Sequence, residues 1–176
     1  MKDISLLIPP ALCPWLFGVF AVIFVVVGCA MQKISAPVAP SPIWFEFPWT
    51  QRGADKILSL WSDAAKDAVR KNILLDFVFI VSYAGGLFVA GAMARRALGA
   101  APWFGAAMTW AAIAAGVFDV IENTGRLAML GGTRGAFWPR VTSVCACVKF
   151  QLADIAALYA LCGLVVGAIH LFRHLP

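Results

Sequence analysis

Residues 103–123 read WFGAAMTWAAIAAGVFDVIEN, an apolar run long enough to cross a bilayer that ends in two carboxylates and an amide. At helical spacing Asp119, Glu122 and Asn123 share one face, because side chains three and four residues apart lie one above the other. Arg126 falls on the same face if the helix continues. One interpretation is a helix end that reaches the lipid headgroups. The other is a polar site inside the membrane, the default interpretation of ionisable residues at that depth.

The composition is typical of an integral membrane protein. Hydrophobic residues make up 62% of the 176 residues and charged residues only 13%, whereas a soluble domain carries about a quarter charged residues. The mean hydropathy is +0.86. The net charge of +5 does not indicate nucleic-acid binding, because no basic tract with interleaved aromatic residues lies outside the apolar stretches. We expect the excess of Lys and Arg to meet anionic lipid headgroups instead.

Several apolar stretches approach or exceed the roughly 18 residues that indicate a spanning helix. We predict spans at about residues 14–31, 73–93, 103–121 and 141–171, in a single membrane domain over residues 1–176. The predicted fold class is an all-α integral membrane protein with four transmembrane helices and an amphipathic helix in the long first loop.

The stretch Val26-Val27-Gly28-Cys29 allows a second interpretation of the first span, because it fits the cleavage pattern of a bacterial lipoprotein signal. The segment before it is interrupted by proline and carries little charge, which is unlike a standard signal sequence. We therefore favour an ordinary spanning helix.

The long first loop has two halves of different character. Residues 36–50 are rich in Pro and aromatic residues, which excludes a helix and predicts an extended segment across the mouth of the bundle. Residues 52–71 carry apolar residues at helical spacing with charges on the other faces, which predicts an amphipathic helix. That helix either lies in the membrane interface or caps the bundle.

Alternating spans bring polar residues of separate helices to one side of the membrane. A rise of about 1.5 Å per residue puts Asp76, Asp119 and Asp154 roughly 25–28 Å from the opposite boundary. On the same scale Lys149 comes out at roughly 35 Å, against a hydrocarbon core of about 30 Å. We therefore expect these four residues in one layer just inside one interface.

The predicted layer holds one clear cation, Lys149, among several carboxylates. Lys149 either pairs with Asp119 or Asp76 across the bundle, or one carboxylate stays protonated because like charges and a low dielectric disfavour its ionisation. Both arrangements leave an acid or base suited to proton chemistry. A purely structural polar clasp that fixes the helix register is the alternative.

The candidate site residues follow from this layer. The candidate catalytic residues are Asp119, Glu122 and Lys149. The candidate ligand-binding residues are Asp76, Tyr83, Asn123, Trp61 and Arg126. Asp119 is the first choice, because it is the deepest of its group and its side chain is too short to reach the interface.

Several motifs of known chemistry are absent. The sequence has no Gly-rich phosphate loop, no serine nucleophile elbow, no His-rich metal motif and no Cys-x-x-Cys pair among its five cysteines. Oxygen ligands from Asp76, Asp119, Glu122 and Asn123 would suit Mg²⁺ or Ca²⁺, but their spacing is not diagnostic. We predict neither a metal site nor a cofactor.

Three segments together resemble a pattern found in small bacterial four-helix membrane proteins of unassigned function. The segments are Ile57-Leu58-x-x-Trp61, Leu75-Asp76-Phe77-Val78-Phe79-Ile80-x-x-Tyr83 and Asp119-Val120-Ile121-Glu122-Asn123. The resemblance covers the middle half of the chain and brings no named activity. It implies only that six residues belong together: Trp61, Asp76, Tyr83, Asp119, Glu122 and Asn123.

Two functional hypotheses follow. In the first, a four-helix bundle has a polar pocket near one membrane face, covered by residues 44–71, that binds a lipid or another amphiphilic small molecule and performs acid–base chemistry on it. In the second, the chain is an accessory or structural subunit of a larger membrane complex. The expected partners are membrane lipids and, in the second case, other membrane subunits or a second copy; nucleic acid is not expected.

The basic residues give conflicting signals about orientation. The long first loop carries more of them, but they are interleaved with acids, whereas Arg95-Arg96 lies in a compact turn. Because Lys and Arg in short loops mark the cytoplasmic side, we expect a multi-pass protein of the cell inner (cytoplasmic) membrane with both termini in the cytoplasm.

Overall fold

The computed structural model describes residues 8–99 and 101–173, with side chains as far as residue 170. Within these ranges the α-helices are α1 Cys13–Ser35, α2 Gln51–Leu60, α3 Asp63–Leu98, α4 Pro102–Leu130 and α5 Phe137–Arg173. Short 3-10 helices lie at Pro10–Leu12 and Pro42–Glu46, and the described residues contain no β-strand. The predicted all-α class is confirmed for this part of the chain.

Four of these helices, α1, α3, α4 and α5, are long and apolar enough to cross a membrane. The prediction of four such helices is therefore confirmed. Their outward faces are apolar, with exposed large side chains such as Val22 on α1, Val81 on α3 and Leu158 on α5. The two chain ends, whose orientation the sequence predicts, lie outside the described residues.

The predicted amphipathic helix at residues 52–71 is divided between two helices. Thr50 caps the start of α2, where its side chain accepts a hydrogen bond from the Gly53 N–H. Trp61 then takes an extended conformation, with φ −92° and ψ 129°, and this ends α2. Trp61 is buried, so the chain turns inward at the point where the sequence predicts a continuous surface helix.

An N-cap at Ser62 explains why α3 begins at Asp63, ten residues before the predicted second span at 73–93. The Ser62 side chain accepts a hydrogen bond from the Ala65 N–H, and Asp63 lies in the first turn. Both features stabilise a helix start. Because the sequence has no Gly or Pro from there until Gly85, the helix continues from the loop directly into the apolar span.

Helix α3 lies at the centre of the bundle and packs against α1, α4 and α5. Helix α1 packs on α3 and makes little contact with α4 or α5. Helix α5 approaches α3 closely at Gly163, where Ala94 occupies the space that a β-carbon would need. Glycine allows such close helix approach in membrane bundles. Helices α1 and α5 therefore both lie on α3 without packing on each other.

We expect Gly163→Ala to destabilise the bundle and Gly167→Ala to leave its stability nearly unchanged. A β-carbon at Gly163 would overlap Ala94, whereas a β-carbon at Gly167 would lie 3.9 Å from the Ala97 β-carbon. Overpacking of the first kind costs about 1–3 kcal/mol. Thermal unfolding of both variants in the same mild detergent measures the difference, and equal melting temperatures would contradict the close approach of α3 and α5.

Candidate functional site

Lys149 lies at the centre of a group of buried charges. It belongs to α5, and its Nζ lies 2.9 Å from Asp119 Oδ1 and 2.7 Å from Glu122 Oε2, both on α4. The third anion is Glu46, in the loop before α2, with Oε2 at 3.3 Å from the same Nζ. Lys149 is only 6% exposed, and a buried ammonium needs partners of this kind. One side chain therefore joins α5, α4 and the loop.

Arg126 is the second cation and lies one turn after Glu122 on α4. Its side chain is buried, and Nη1 lies 3.6 Å from both Glu46 Oε1 and Glu122 Oε1. The same nitrogen donates a 3.1 Å hydrogen bond to Asn123 Oδ1. Glu46 and Glu122 thus bridge the two cations, because each places one oxygen near Arg126 and the other near Lys149.

Helix α3 joins this group through one hydrogen-bond donor, Tyr83, and one acceptor, Asp76. The Tyr83 hydroxyl donates a 2.9 Å hydrogen bond to Asp119 Oδ2. On the other side, Asn123 Nδ2 donates a 2.9 Å hydrogen bond to Asp76 Oδ2. Asp76 and Tyr83 lie two turns apart on one face of α3, so both reach α4. The structure therefore brings together the predicted residues of three different helices.

We call the six charged residues the buried charge cluster: Glu46, Asp76, Asp119, Glu122, Arg126 and Lys149. Four of them are acidic and two are basic, and none is exposed. Ionised side chains would leave two negative charges in excess, and an uncompensated buried charge is unfavourable. Within the described residues no group of three or more His, Cys, Asp or Glu is arranged to hold a metal ion.

A cleft of about 1240 Å³ extends from the cluster between α1 and α5. Its polar end is lined by Glu46, Asp76, Tyr83, Asp119, Arg126 and Lys149. The rest of its wall is mostly apolar and includes Phe17, Phe20, Phe24, Val25, Ala153 and Ala157, together with polar residues such as Lys33, Asn72 and Asp154. Val25 and Ala157 are exposed, so the cleft opens on the outer surface of the helices. A cavity with an apolar wall and a few convergent polar groups is typical of a small-molecule site.

A continuous chain of polar contacts runs from this cleft into the interior. It passes from the Tyr83 hydroxyl to Asp119, then to Lys149 and on to Glu122. Asp119 and Lys149 line the cleft, whereas Glu122 is completely buried behind them. Such a chain can take up or release a proton at its cleft end and compensate the charge inside. Glu122, predicted as catalytic, contacts Lys149 and does not line the cleft, and its catalytic role stays a prediction.

Glu46 is the member of the cluster that the sequence analysis does not identify. It ends the short 3-10 helix Pro42–Glu46, within the segment 36–50 that the sequence predicts to be extended, and a loop residue has no helical periodicity that would place it at a given depth. One signal exists: Glu46 is the only charged residue between positions 36 and 50. A single carboxylate in an otherwise uncharged aromatic segment indicates a buried partner of opposite charge.

Aromatic contacts hold this loop over the cluster. Phe45 is completely buried, and its ring lies edge-on to Trp61 with 5.2 Å between the centroids. Trp61 Nε1 donates a 2.9 Å hydrogen bond to the Pro40 carbonyl oxygen, and the Trp49 N–H donates one to Ser143 Oγ on α5. Trp61 does not line the cleft. Trp61, which the sequence assigns to ligand binding, contacts Phe45 and Pro40 of this loop, and its part in ligand binding stays a prediction.

Asp154 lies apart from the cluster, although the depth estimate puts it in the same layer. It is exposed on α5 and lines the cleft, and it forms no ion pair with another residue that the structure describes. Lys149 comes five residues earlier on the same helix. Residues five apart do not share a helix face, so Lys149 points into the bundle while Asp154 does not.

Comparisons with known proteins give no match. The chain matches no protein-family model, no curated protein and no solved structure. Its function is therefore inferred from the cleft and the buried charge cluster.

We expect Lys149→Met to destabilise the protein more than Asp119→Asn. The first change leaves three carboxylates without their shared cation, and breaking a buried ion pair costs about 3–5 kcal/mol. Asp119→Asn keeps the side-chain volume and still accepts the hydrogen bond from Tyr83. The double variant should lose less stability than the sum of the single changes, because the two side chains interact. Reversible unfolding in mixed micelles measures this, and additive losses would refute the pairing.

Trp61→Ala should release the loop before α2, whereas Trp44→Ala should not. Trp61 is 3% exposed and bonded to Pro40, while Trp44 is 64% exposed. Truncation of a buried Trp lowers the free energy of unfolding by about 3–5 kcal/mol, and here it removes the ring contact with Phe45. Limited proteolysis provides the measurement, with faster cleavage within residues 36–50 only in the Trp61 variant. Equal cleavage in both variants would mean that other contacts hold the loop.

Proposed function

We propose that this chain is a multi-pass membrane protein whose cleft binds a lipid or another amphiphilic small molecule. The polar end of the ligand lies at the buried charge cluster, and its apolar chain lies along Phe20, Phe24 and Ala157. One observation carries the proposal: a single cleft of about 1240 Å³ joins a long apolar wall to buried charges. An apolar wall alone or a charge cluster alone would not indicate an amphiphile.

The exposed surface of the helices supports a membrane location. Large apolar side chains such as Trp15 on α1, Trp110 on α4 and Leu164 on α5 are exposed. Contact of such surfaces with water is unfavourable, whereas lipid tails remove that cost. The orientation expected from Arg95 and Arg96, with both termini in the cytoplasm of the inner membrane, remains a prediction.

Acid–base chemistry on the bound molecule is the second part of the proposal. Asp119 lines the cleft, accepts a hydrogen bond from the Tyr83 hydroxyl and lies 2.9 Å from Lys149 Nζ. It therefore suits a group that takes a proton from a ligand or returns one, while Lys149 compensates the change in charge. Asp76 is a second carboxylate at the cleft, and the hydrogen bond from Asn123 orients it.

An accessory or structural subunit of a larger membrane complex is the alternative function. Helix α1 favours it, because this helix packs on α3 and its opposite face carries exposed Trp15, Val19 and Val22 beside a surface groove at Gly18. A helix of another subunit or of a second copy would approach closely at a glycine. The buried charge cluster would then fix the helix register instead of serving a ligand.

Purification in mild detergent, followed by extraction and mass spectrometry of bound molecules, tests the proposal. We expect the wild type to retain an amphiphile that Ala157→Trp loses, because the large side chain fills the apolar part of the cleft. Ala107→Trp is the matched control, since Ala107 is exposed on α4 outside the cleft lining. It should retain the same molecule as the wild type.

Two outcomes would argue against ligand binding. Equal retention of the molecule by Ala157→Trp and Ala107→Trp would mean that it does not occupy the cleft. Isolation of the chain only together with other membrane proteins, without a bound amphiphile, would favour the subunit alternative.

A further inference from the structure

Negative charge is in excess at the polar end of the cleft. The charged residues that line the cleft are Glu46, Asp76, Asp119, Asp154, Lys33, Arg126 and Lys149, and Glu122 lies directly behind. Five acids thus stand against three cations. Uncompensated charge at membrane depth is strongly unfavourable. A ligand that brings hydrogen-bond donors or positive charge would reduce this imbalance, whereas a ligand with negative charge would increase it.

Both cations of the cluster are already engaged. Three carboxylates surround Lys149 Nζ at 2.7–3.3 Å. Arg126 Nη1 is shared by two carboxylates and the Asn123 amide, and Arg126 Nε has no hydrogen-bond partner but is buried. A phosphate that paired with either cation would displace a carboxylate and leave it buried without a partner, which is costly. The cluster therefore does not suit a phosphate.

Asp76 provides the acceptor that a donor group needs. It lines the cleft on α3 and is 7% exposed. Its Oδ2 accepts the hydrogen bond from Asn123 Nδ2, and its Oδ1 has no hydrogen-bond partner among the residues that the structure describes. This oxygen is not among the fully buried polar atoms that lack a partner, so it is open to a ligand and is the first position for a donor group.

We propose that the cleft selects a long-chain amphiphile whose polar end donates hydrogen bonds, as a primary amine or a hydroxyl does, over one that ends in phosphate. Asp76 Oδ1 receives the donor, and the apolar chain extends along Phe20 and Phe24. This assignment rests on the proposed function, because it requires that the cleft binds an amphiphile.

Native mass spectrometry of the protein in a non-ionic detergent tests the selectivity with hexadecylamine, hexadecanol and hexadecyl phosphate, which share one chain. At neutral pH we expect the amine and the alcohol to bind about tenfold or more tightly than the phosphate, because a hydrogen bond to a charged acceptor contributes an effect of that size. Comparison of the amine with the alcohol shows whether tight binding requires positive charge or only a hydrogen-bond donor.

Asp76→Asn tests the acceptor. It should weaken binding of the amine by about tenfold, because the charge-assisted hydrogen bond is lost. Asp67→Asn is the matched control, since Asp67 is an exposed acid on the same helix outside the cleft lining. It should leave binding of the amine unchanged. The ranking of the three compounds on the wild type does not require the Asp76 variant, so it remains decisive if that variant fails to fold.

The outcomes separate this inference from the proposed function. Binding of the phosphate as tight as that of the amine and the alcohol, with all three lost in Ala157→Trp, would overturn the selectivity and keep the cleft as the ligand site. Unchanged binding of the amine to Asp76→Asn would overturn the assignment of the acceptor. Equal binding of every compound to the wild type and to Ala157→Trp would overturn the proposed function itself.

Discussion

A buried ammonium that must be surrounded by carboxylates is the constraint on which the rest of this structure depends. Lys149 meets Asp119 and Glu122 from α4 and Glu46 from the loop, all within 3.3 Å. Buried charges are costly unless they are paired, so α5, α4 and the loop cannot separate without leaving these charges unpaired. The ion pairs therefore determine how α4 and α5 meet, and they bring the loop over the end of the bundle.

The same constraint explains why the polar site opens into a cleft. The contacts of the buried charge cluster connect α3, α4, α5 and the loop, and none of them involves α1 among the described residues. Helix α1 packs on α3 but not on α5, so the space between α1 and α5 stays open and apolar. One end of that space meets the cluster, and the proposal of an amphiphilic ligand rests on this juxtaposition.

The loop before α2 is part of the site and not a simple connection. Trp61 holds Pro40 and Phe45, and the residue after Phe45 is the carboxylate that bridges Lys149 and Arg126. Loops that carry a functional residue on a rigid support are common at binding sites. Here the support is the inward turn at Trp61, which divides the predicted surface helix at residues 52–71 into the end of α2 and the start of α3.

The sequence by itself determined the four long apolar helices and the common face of Asp119, Glu122, Asn123 and Arg126, because composition and helical spacing are local properties. It also indicated that Asp76 and Lys149 lie near that face, since rise per residue sets depth along each helix. Only the tertiary structure decided that Glu46 joins the cluster, that Trp61 contacts the loop and that Lys149, not Asp154, is the residue of α5 that faces the cluster. These positions depend on how a loop without periodicity folds back and on how α5 is rotated about its axis, and neither is encoded in spacing along one helix.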